Sequence, residues 1–162
     1  MTQNDKRFVA RDIIGLAVSL ILVALAALFG GLFTAQTSGN WYQSLEQPGW
    51  SPPGWLFGPV WTTLYILMAV AVWLVWRRTS LAHWAVVLYL VQLVFNAAWS
   101  AIFFGLRMPM VAFAELCVLW VLIVLTTVAF WRVRTIAAVL MLPYLAWVSF
   151  AGALNLAIAL MN

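Results

Sequence analysis

The chain has 162 residues, of which 67% are hydrophobic and only 7% charged, with a formal net charge of +4 and a mean hydropathy of +1.05. Soluble domains carry about 25% charged residues, and a small globule still exposes much of its surface, so a water-soluble fold is excluded and the bilayer is the expected solvent. The positive charge calls for no nucleic-acid partner, because membrane topology and attraction to anionic lipid headgroups account for it.

A membrane-crossing helix needs roughly 20 apolar residues. Five such stretches occur, near 11–35, 55–76, 81–105, 109–131 and 135–160. They predict an all-α membrane protein, a five-transmembrane-helix bundle forming one domain over 1–162. The alternation of barrel strands is absent. The first stretch follows Lys6, Arg7 and Arg11, as a signal peptide would. Its run from Ile13 to Phe33 exceeds the roughly 7–15 residues of a signal core, so a retained helix is expected. Within it, Ala27 and Gly31 stand four apart and allow a neighbouring backbone to approach.

The connection over 36–54 opens on the turn-forming Thr37-Ser38-Gly39-Asn40. From Trp41 to Tyr65 the chain reads WYQSLEQPGWSPPGWLFGPVWTTLY. Pro48, Pro52 and Pro53 restrict φ and favour extended backbone. Trp41, Tyr42, Trp50 and Trp55 on such a braced loop suit a lid over a flat, apolar molecule. An interfacial aromatic belt is the alternative. In the second span Trp61, Tyr65 and Met68 share one helical face, as a pocket wall or as ordinary packing.

The third span carries Gln92, Asn96 and Ser100 at steps of four, with Trp99 and Phe103 beside them. Amides in hydrocarbon need partners and face the bundle interior. Ala97, Ala101 and Gly105 form a small-residue stripe suited to a close helix contact or a homodimer seam. The fourth span holds Glu115, either a functional acid or a protonated hydrogen-bond donor locking two helices together. In the fifth, Pro143, Trp147, Ala151 and Asn155 step by four; a large ring beside a small residue suits a recess for a planar ligand.

Conventional catalytic motifs are missing, paired carboxylates, GxSxG, HExxH and CxxC among them. Cys117 is a lone cysteine and reads as a small apolar residue. His83 is a lone histidine at the opposite end from the aromatic loop, so no metal site and no cofactor is expected. Lys6, Arg7, Arg11, Arg77, Arg78, Arg132 and Arg134 share one side of five spans, against Arg107 alone on the other. That bias predicts a cytoplasmic N-terminus in an inner or plasma membrane.

Three motifs, the stretch 41–65 above, NAAWSAIFFG at 96–105 and LPYLAWVSFAGALN at 142–155, follow one another in an order and spacing that resembles the TspO family of tryptophan-rich sensory proteins, bacterial relatives of the translocator (peripheral benzodiazepine receptor) proteins. The resemblance covers nearly the whole chain. It implies an often dimeric bundle with a pocket under the first loop. It also implies ligands such as porphyrins and related tetrapyrroles, sterols and drug-like compounds, and roles in transport, stress signalling or light-dependent porphyrin breakdown. The tryptophans tied to that breakdown match Trp61 and Trp147, and pocket-lining positions match Tyr42, Asn96 and Ala151. The expected ligand set is therefore Trp41, Tyr42, Trp50, Trp55, Trp61, Tyr65, Asn96, Trp99, Phe103, Trp147 and Ala151. Two departures stand out. Gln47 replaces a lysine common in the family's loop, and the tyrosine–arginine sterol motif of animal members has no counterpart near the end of the fifth span.

Overall fold

The computed structural model describes residues 3–37 and 41–162, with side-chain surroundings for 12–35 and 41–162. The expected turn residues Ser38, Gly39 and Asn40, and the side chains of Lys6, Arg7 and Arg11, lie outside what is described. The elements are α1 (Gln3–Thr37), a short α2 (Trp41–Ser44), a 3-10 turn (Gly54–Leu56), α3 (Phe57–Trp76), α4 (Trp84–Ser100) continued by a π-helical segment (Ala101–Gly105), α5 (Pro109–Val133) and α6 (Thr135–Met161). There is no strand among the described residues.

Five helical segments are long and apolar enough to cross a membrane: Asp12–Ala35, Gly54–Trp76, Trp84–Gly105, Pro109–Val133 and Thr135–Met161. They match the five sequence stretches to within three residues at each end. At 1.5 Å per residue even the shortest, 22 residues, is about 33 Å long, enough for the hydrocarbon layer. Their ends follow local chemistry. Proline begins α5, where a missing N–H costs nothing. The His83 Nδ1 accepts from the Ala85 N–H at 3.3 Å and caps α4, a structural use of the chain's one histidine. Between α5 and α6 only Arg134 leaves the helical region (φ −158°, ψ 114°), so these two helices form a tight antiparallel pair.

The five long helices close into a ring in the order α1, α3, α6, α5, α4 and back to α1. Large apolar side chains such as Ile13, Leu28, Val94, Val121 and Leu125 face outward, as lipid solvation permits. The interior holds Met68, Tyr89, Phe130 and Tyr144 together with the polar Gln92, Asn96, Thr126 and Asn155. Several serine and threonine hydroxyls are satisfied within their own helices: Ser19 donates to the Gly15 carbonyl at 2.9 Å and Thr127 to the Ile123 carbonyl at 2.8 Å.

Close approach to α1 uses other small residues than expected. Gly31 has open space around it, whereas Gly15 is covered by the Trp76 ring and Gly30 by Ser100, whose Oγ lies 3.0 Å from where a Cβ would stand. The Ala27/Gly31 pair is thus corrected to Gly15 and Gly30, because Ser19, Val23 and Ala26 give α1 its buried face. At the same end as Gly15, Arg77 pairs with Asp12 at 2.8 Å and the Trp73 indole donates to the Asp12 carbonyl at 3.0 Å, fastening α3 to α1.

Candidate ligand site beneath the aromatic loop

The loop is partly helical rather than extended throughout. Trp41–Ser44 forms one helical turn, and the Gln47 side-chain amide donates to the Tyr42 carbonyl at 3.0 Å. The Ser51 N–H donates to the Pro48 carbonyl at 2.9 Å, closing a turn that presents Trp50. A reciprocal pair of bonds then anchors the loop to the end of α6: the Glu46 N–H donates to Asn162 Oδ1, and Asn162 Nδ2 donates to the Glu46 carbonyl, both at 3.0 Å.

Two aromatic groups lie beneath this loop. In the first, Trp41 and Tyr42 reach down onto the end of the third span, with ring centroids 5.8 Å apart for Trp41–Phe103 and 5.7 Å for Tyr42–Phe104. Phe103 in turn stacks on Trp99 at 5.1 Å. The π-helical turn makes this possible, since a wider turn lets Phe103 and Phe104 both become buried. Tyr42 pays for its place among these rings electrostatically: burial raises its hydroxyl pKa above the ordinary tyrosine value.

In the second group Trp50 sits over Phe150 at 5.8 Å, Phe150 meets Trp147 at 5.5 Å, and Trp147 meets Phe57 at 5.8 Å. One helical turn below Phe57, Trp61 lies 5.4 Å from Tyr65 and 6.3 Å from Tyr144. Loop, α3 and α6 therefore supply one continuous aromatic run, and Ala151 stands half-buried in the same region of α6.

A chain of polar groups underlies the rings. Tyr65 Oη donates to Asn96 Oδ1 at 2.7 Å, Asn96 Nδ2 donates to Tyr144 Oη at 3.0 Å, and Tyr144 Oη donates to Gln92 Oε1 at 3.1 Å. Beside it the Trp99 indole donates to Asn155 Oδ1 at 3.0 Å, and Asn155 Nδ2 to the Pro109 carbonyl at 2.8 Å. The Trp147 indole N–H is buried and has no hydrogen-bond partner among the described residues, as are the Ser51 hydroxyl, the Tyr89 hydroxyl and the Gln92 amide nitrogen. A buried donor without a partner costs free energy, so Trp147 offers a ready bond to any acceptor placed against it.

Of the sequence-predicted residues, Trp41, Tyr42, Trp99 and Phe103 fall in the first ring group, Trp50, Trp61, Tyr65 and Trp147 in the second, and Asn96 in the polar chain. Trp55 stands apart: it is 73% exposed at the 3-10 turn and makes no ring contact among the described residues. Glu115 forms no helix-locking bond, since both carboxyl oxygens are buried without a partner among the described residues. Gly105, the last residue of the expected small stripe, backs onto Phe33 of α1 in the same chain, 2.8 Å from where a Cβ would stand. Sequence reasoning did not place Phe57, Tyr144 and Phe150 in the site. Phe57 is four residues before Trp61, and Tyr144 and Phe150 are each three from Trp147, so extending the helical period from the two tryptophans would have found them.

Other open space lies on the outer surface. A groove of about 570 Å³ between α5 and α6 is lined by residues including Phe113, Cys117, Trp120 and Gly152. Among the described residues no group of three metal-ligating side chains is assembled.

Comparison with known proteins agrees with these features. Residues 17–161 match the TspO/MBR family. The tryptophan-rich protein TspO of Chlorobaculum tepidum is 40% identical over 156 residues, covering 94% of this chain and 98% of that protein. The protein of the same name from Archaeoglobus fulgidus is 38% identical, covering 93% and 99%. The human translocator protein is 40% identical over 136 residues, covering 82% of this chain and 80% of its own. With five membrane-crossing helices in a closed ring and this extent of matching sequence, the chain is an integral, multi-pass membrane protein that belongs to the TspO/MBR family.

Proposed function

We propose that the protein is a membrane receptor for porphyrins and similar planar amphiphiles, which it holds beneath the loop between α1 and α3. The observation that carries this reading is the run Trp50–Phe150–Trp147–Phe57, with the Trp147 N–H buried and unspent at its centre. Offset and edge-on ring contacts favour flat aromatic ligands by about 0.5–1.5 kcal/mol per pair beyond simple burial. The ring groups are packed against the loop, so a ligand enters by lifting it. Family membership supports the broader role, a membrane receptor or transporter, and tetrapyrrole-linked stress signalling or transport is the specific role proposed here.

The reading includes a bacterial source, a cytoplasmic N-terminus supported by the seven-to-one basic bias, and a homodimer. Titrating protoporphyrin IX into purified protein should quench tryptophan fluorescence saturably. Quenching no stronger than that of a tryptophan peptide in empty detergent rejects the reading.

A second reading is light-dependent porphyrin degradation with Trp61 and Trp147 as the redox-active side chains. It is favoured by the position of both indoles beneath the one loop, Trp61 against Tyr65 and Tyr144 and Trp147 against Phe57 and Phe150. Illumination of the complex should then bleach the porphyrin faster than in the Trp61→Phe/Trp147→Phe protein; equal rates reject it.

A further inference from the structure

We propose that Arg107 is the anion-recognising residue of this site, pairing with a carboxylate at the edge of the planar molecule held under the loop. The inference rests on reading that loop as a lid over a ligand, and it adds the charge class of the ligand and the residue that selects it.

Arg107 is the one basic residue at the lid end of the spans; the other seven belong to the opposite end. Among the described residues it makes no ion pair, the Arg77–Asp12 bridge being at the far end of the bundle. Its guanidinium instead lies over the ring of Trp41 in the lid, with Cζ 5.9 Å from the centroid. The side chain of Gln47 in the lid cannot take this role. Gln47 is neutral, and its amide is committed to the Tyr42 carbonyl.

The backbone supports a built position rather than an accidental one. Arg107 has φ 56°, the one positive value at a non-glycine residue among those described. A bulky side chain adopts this region at a cost, and such strain concentrates where function requires a particular placement. The π-helical turn that precedes it is closed by the Leu106 N–H donating to the Ala101 carbonyl at 2.9 Å. That turn buries Phe103 and Phe104 under Trp41 and Tyr42 and leaves Arg107 exposed at the rim.

A guanidinium can stack one face on an indole while its edge donates two parallel bonds to a carboxylate. A flat amphiphile with an acidic edge satisfies both regions at once: its rings meet the lid aromatics, and its carboxylate stays at the wet rim beside Arg107. A lipid headgroup phosphate carries the same anionic chemistry, and the test must separate the two.

The test compares protoporphyrin IX with its dimethyl ester, which keeps the ring and removes the charge, in neutral detergent. After correction for partitioning into empty detergent, the protein should bind the acid about fivefold more tightly than the ester, the scale of a partly exposed ion pair. Arg107→Asn removes the charge while retaining a residue tolerant of left-handed backbone. It should bring the acid to the ester's affinity and leave ester binding unchanged, which also shows that the variant folds. Arg107→Lys should keep most of the preference. No discrimination by the unaltered protein, or equal losses for acid and ester in Arg107→Asn, overturns the role of Arg107 while leaving porphyrin binding intact. Failure of both porphyrins to bind saturably overturns both proposals. Loss of the acid preference when the protein is moved into phosphatidylglycerol vesicles, but not phosphatidylcholine vesicles, assigns Arg107 to lipid headgroups and overturns its assignment to the ligand.

Discussion

The Tyr65 hydroxyl donates to the Asn96 side-chain carbonyl at 2.7 Å, joining the aromatic wall on α3 to the polar interior on α4. Asn96 also donates to Tyr144 on α6, so one amide ties three helices together. Asn96→Leu should therefore destabilise the protein by about 1–3 kcal/mol, the range for buried polar groups left unpaired. Interhelical bonds in membranes average nearer the lower end. Thermal unfolding in detergent measures this; a variant as stable as the parent would show that the network contributes nothing.

Trp147→Phe keeps an aromatic ring between Phe57 and Phe150 but removes the unpartnered indole N–H. Stability should change by less than about 1 kcal/mol, because no existing hydrogen bond is lost. Affinity for a planar ligand bearing an acceptor should fall about threefold to tenfold, the value of one neutral hydrogen bond. Fluorescence titration against Trp61→Phe, where the indole N–H removed is not a buried donor without a partner, separates this effect from loss of indole area.

Gly15 and Gly31 occupy the same helix and should respond oppositely. A side chain at Gly15 runs into the Trp76 ring, whereas Gly31 faces open space. Gly15→Val should cost about 1–3 kcal/mol through overpacking, and Gly31→Ala should be neutral or slightly stabilising through backbone entropy. Melting curves of the two variants, run side by side, decide it.

Asn162 clasps the loop through two bonds to the Glu46 backbone and donates a third to the Ile158 carbonyl at 2.9 Å. Asn162→Ala should leave the bundle's melting temperature nearly unchanged yet raise proteolysis and hydrogen exchange within 41–54 severalfold, as expected for a locally opening segment. Unchanged protection would mean that the ring contacts alone hold the loop.

Tyr42 gives the loop a pH dependence. Burial raises its pKa in the folded state above the unfolded value, roughly 10. The stabilisation associated with its neutral hydroxyl is thus fully present below about pH 10 and is lost as pH rises through the higher folded value. A near-ultraviolet titration, taken as the difference between the parent and Tyr42→Phe, should place tyrosinate formation at Tyr42 above that of a free tyrosine, with loop protection falling in parallel. Titration at or below the free value contradicts this.

Much of the fold is legible in the sequence. The five spans follow from an absolute requirement, since a helix crossing hydrocarbon must satisfy its backbone internally over roughly 20 apolar residues. The amides Gln92 and Asn96 could be assigned to the interior because lipid offers them no partner. The proposed association of Trp61 and Trp147 with one site rests on motif resemblance, and each also lies on a readable helical face. Trp55 could not be separated from Trp50 by composition, since both sit beside prolines in the same loop; only the fold sets Trp50 against Phe150 and leaves Trp55, in the 3-10 turn at Gly54–Leu56, without a ring contact among the described residues.

By itself, then, the sequence determined the bundle's class, its five crossings and the inward placement of Gln92 and Asn96, because these depend on periodicity and on the solvent a segment can tolerate. The tertiary structure decided the ring order of the helices, the choice of Gly15 over Gly31 against a neighbour, the burial of Phe103 and Phe104 through a π-helical turn, and the clasp between Asn162 and a loop 116 residues away in the chain. Those features depend on which helices become neighbours and how each is rotated about its axis, and packing across the whole bundle sets both.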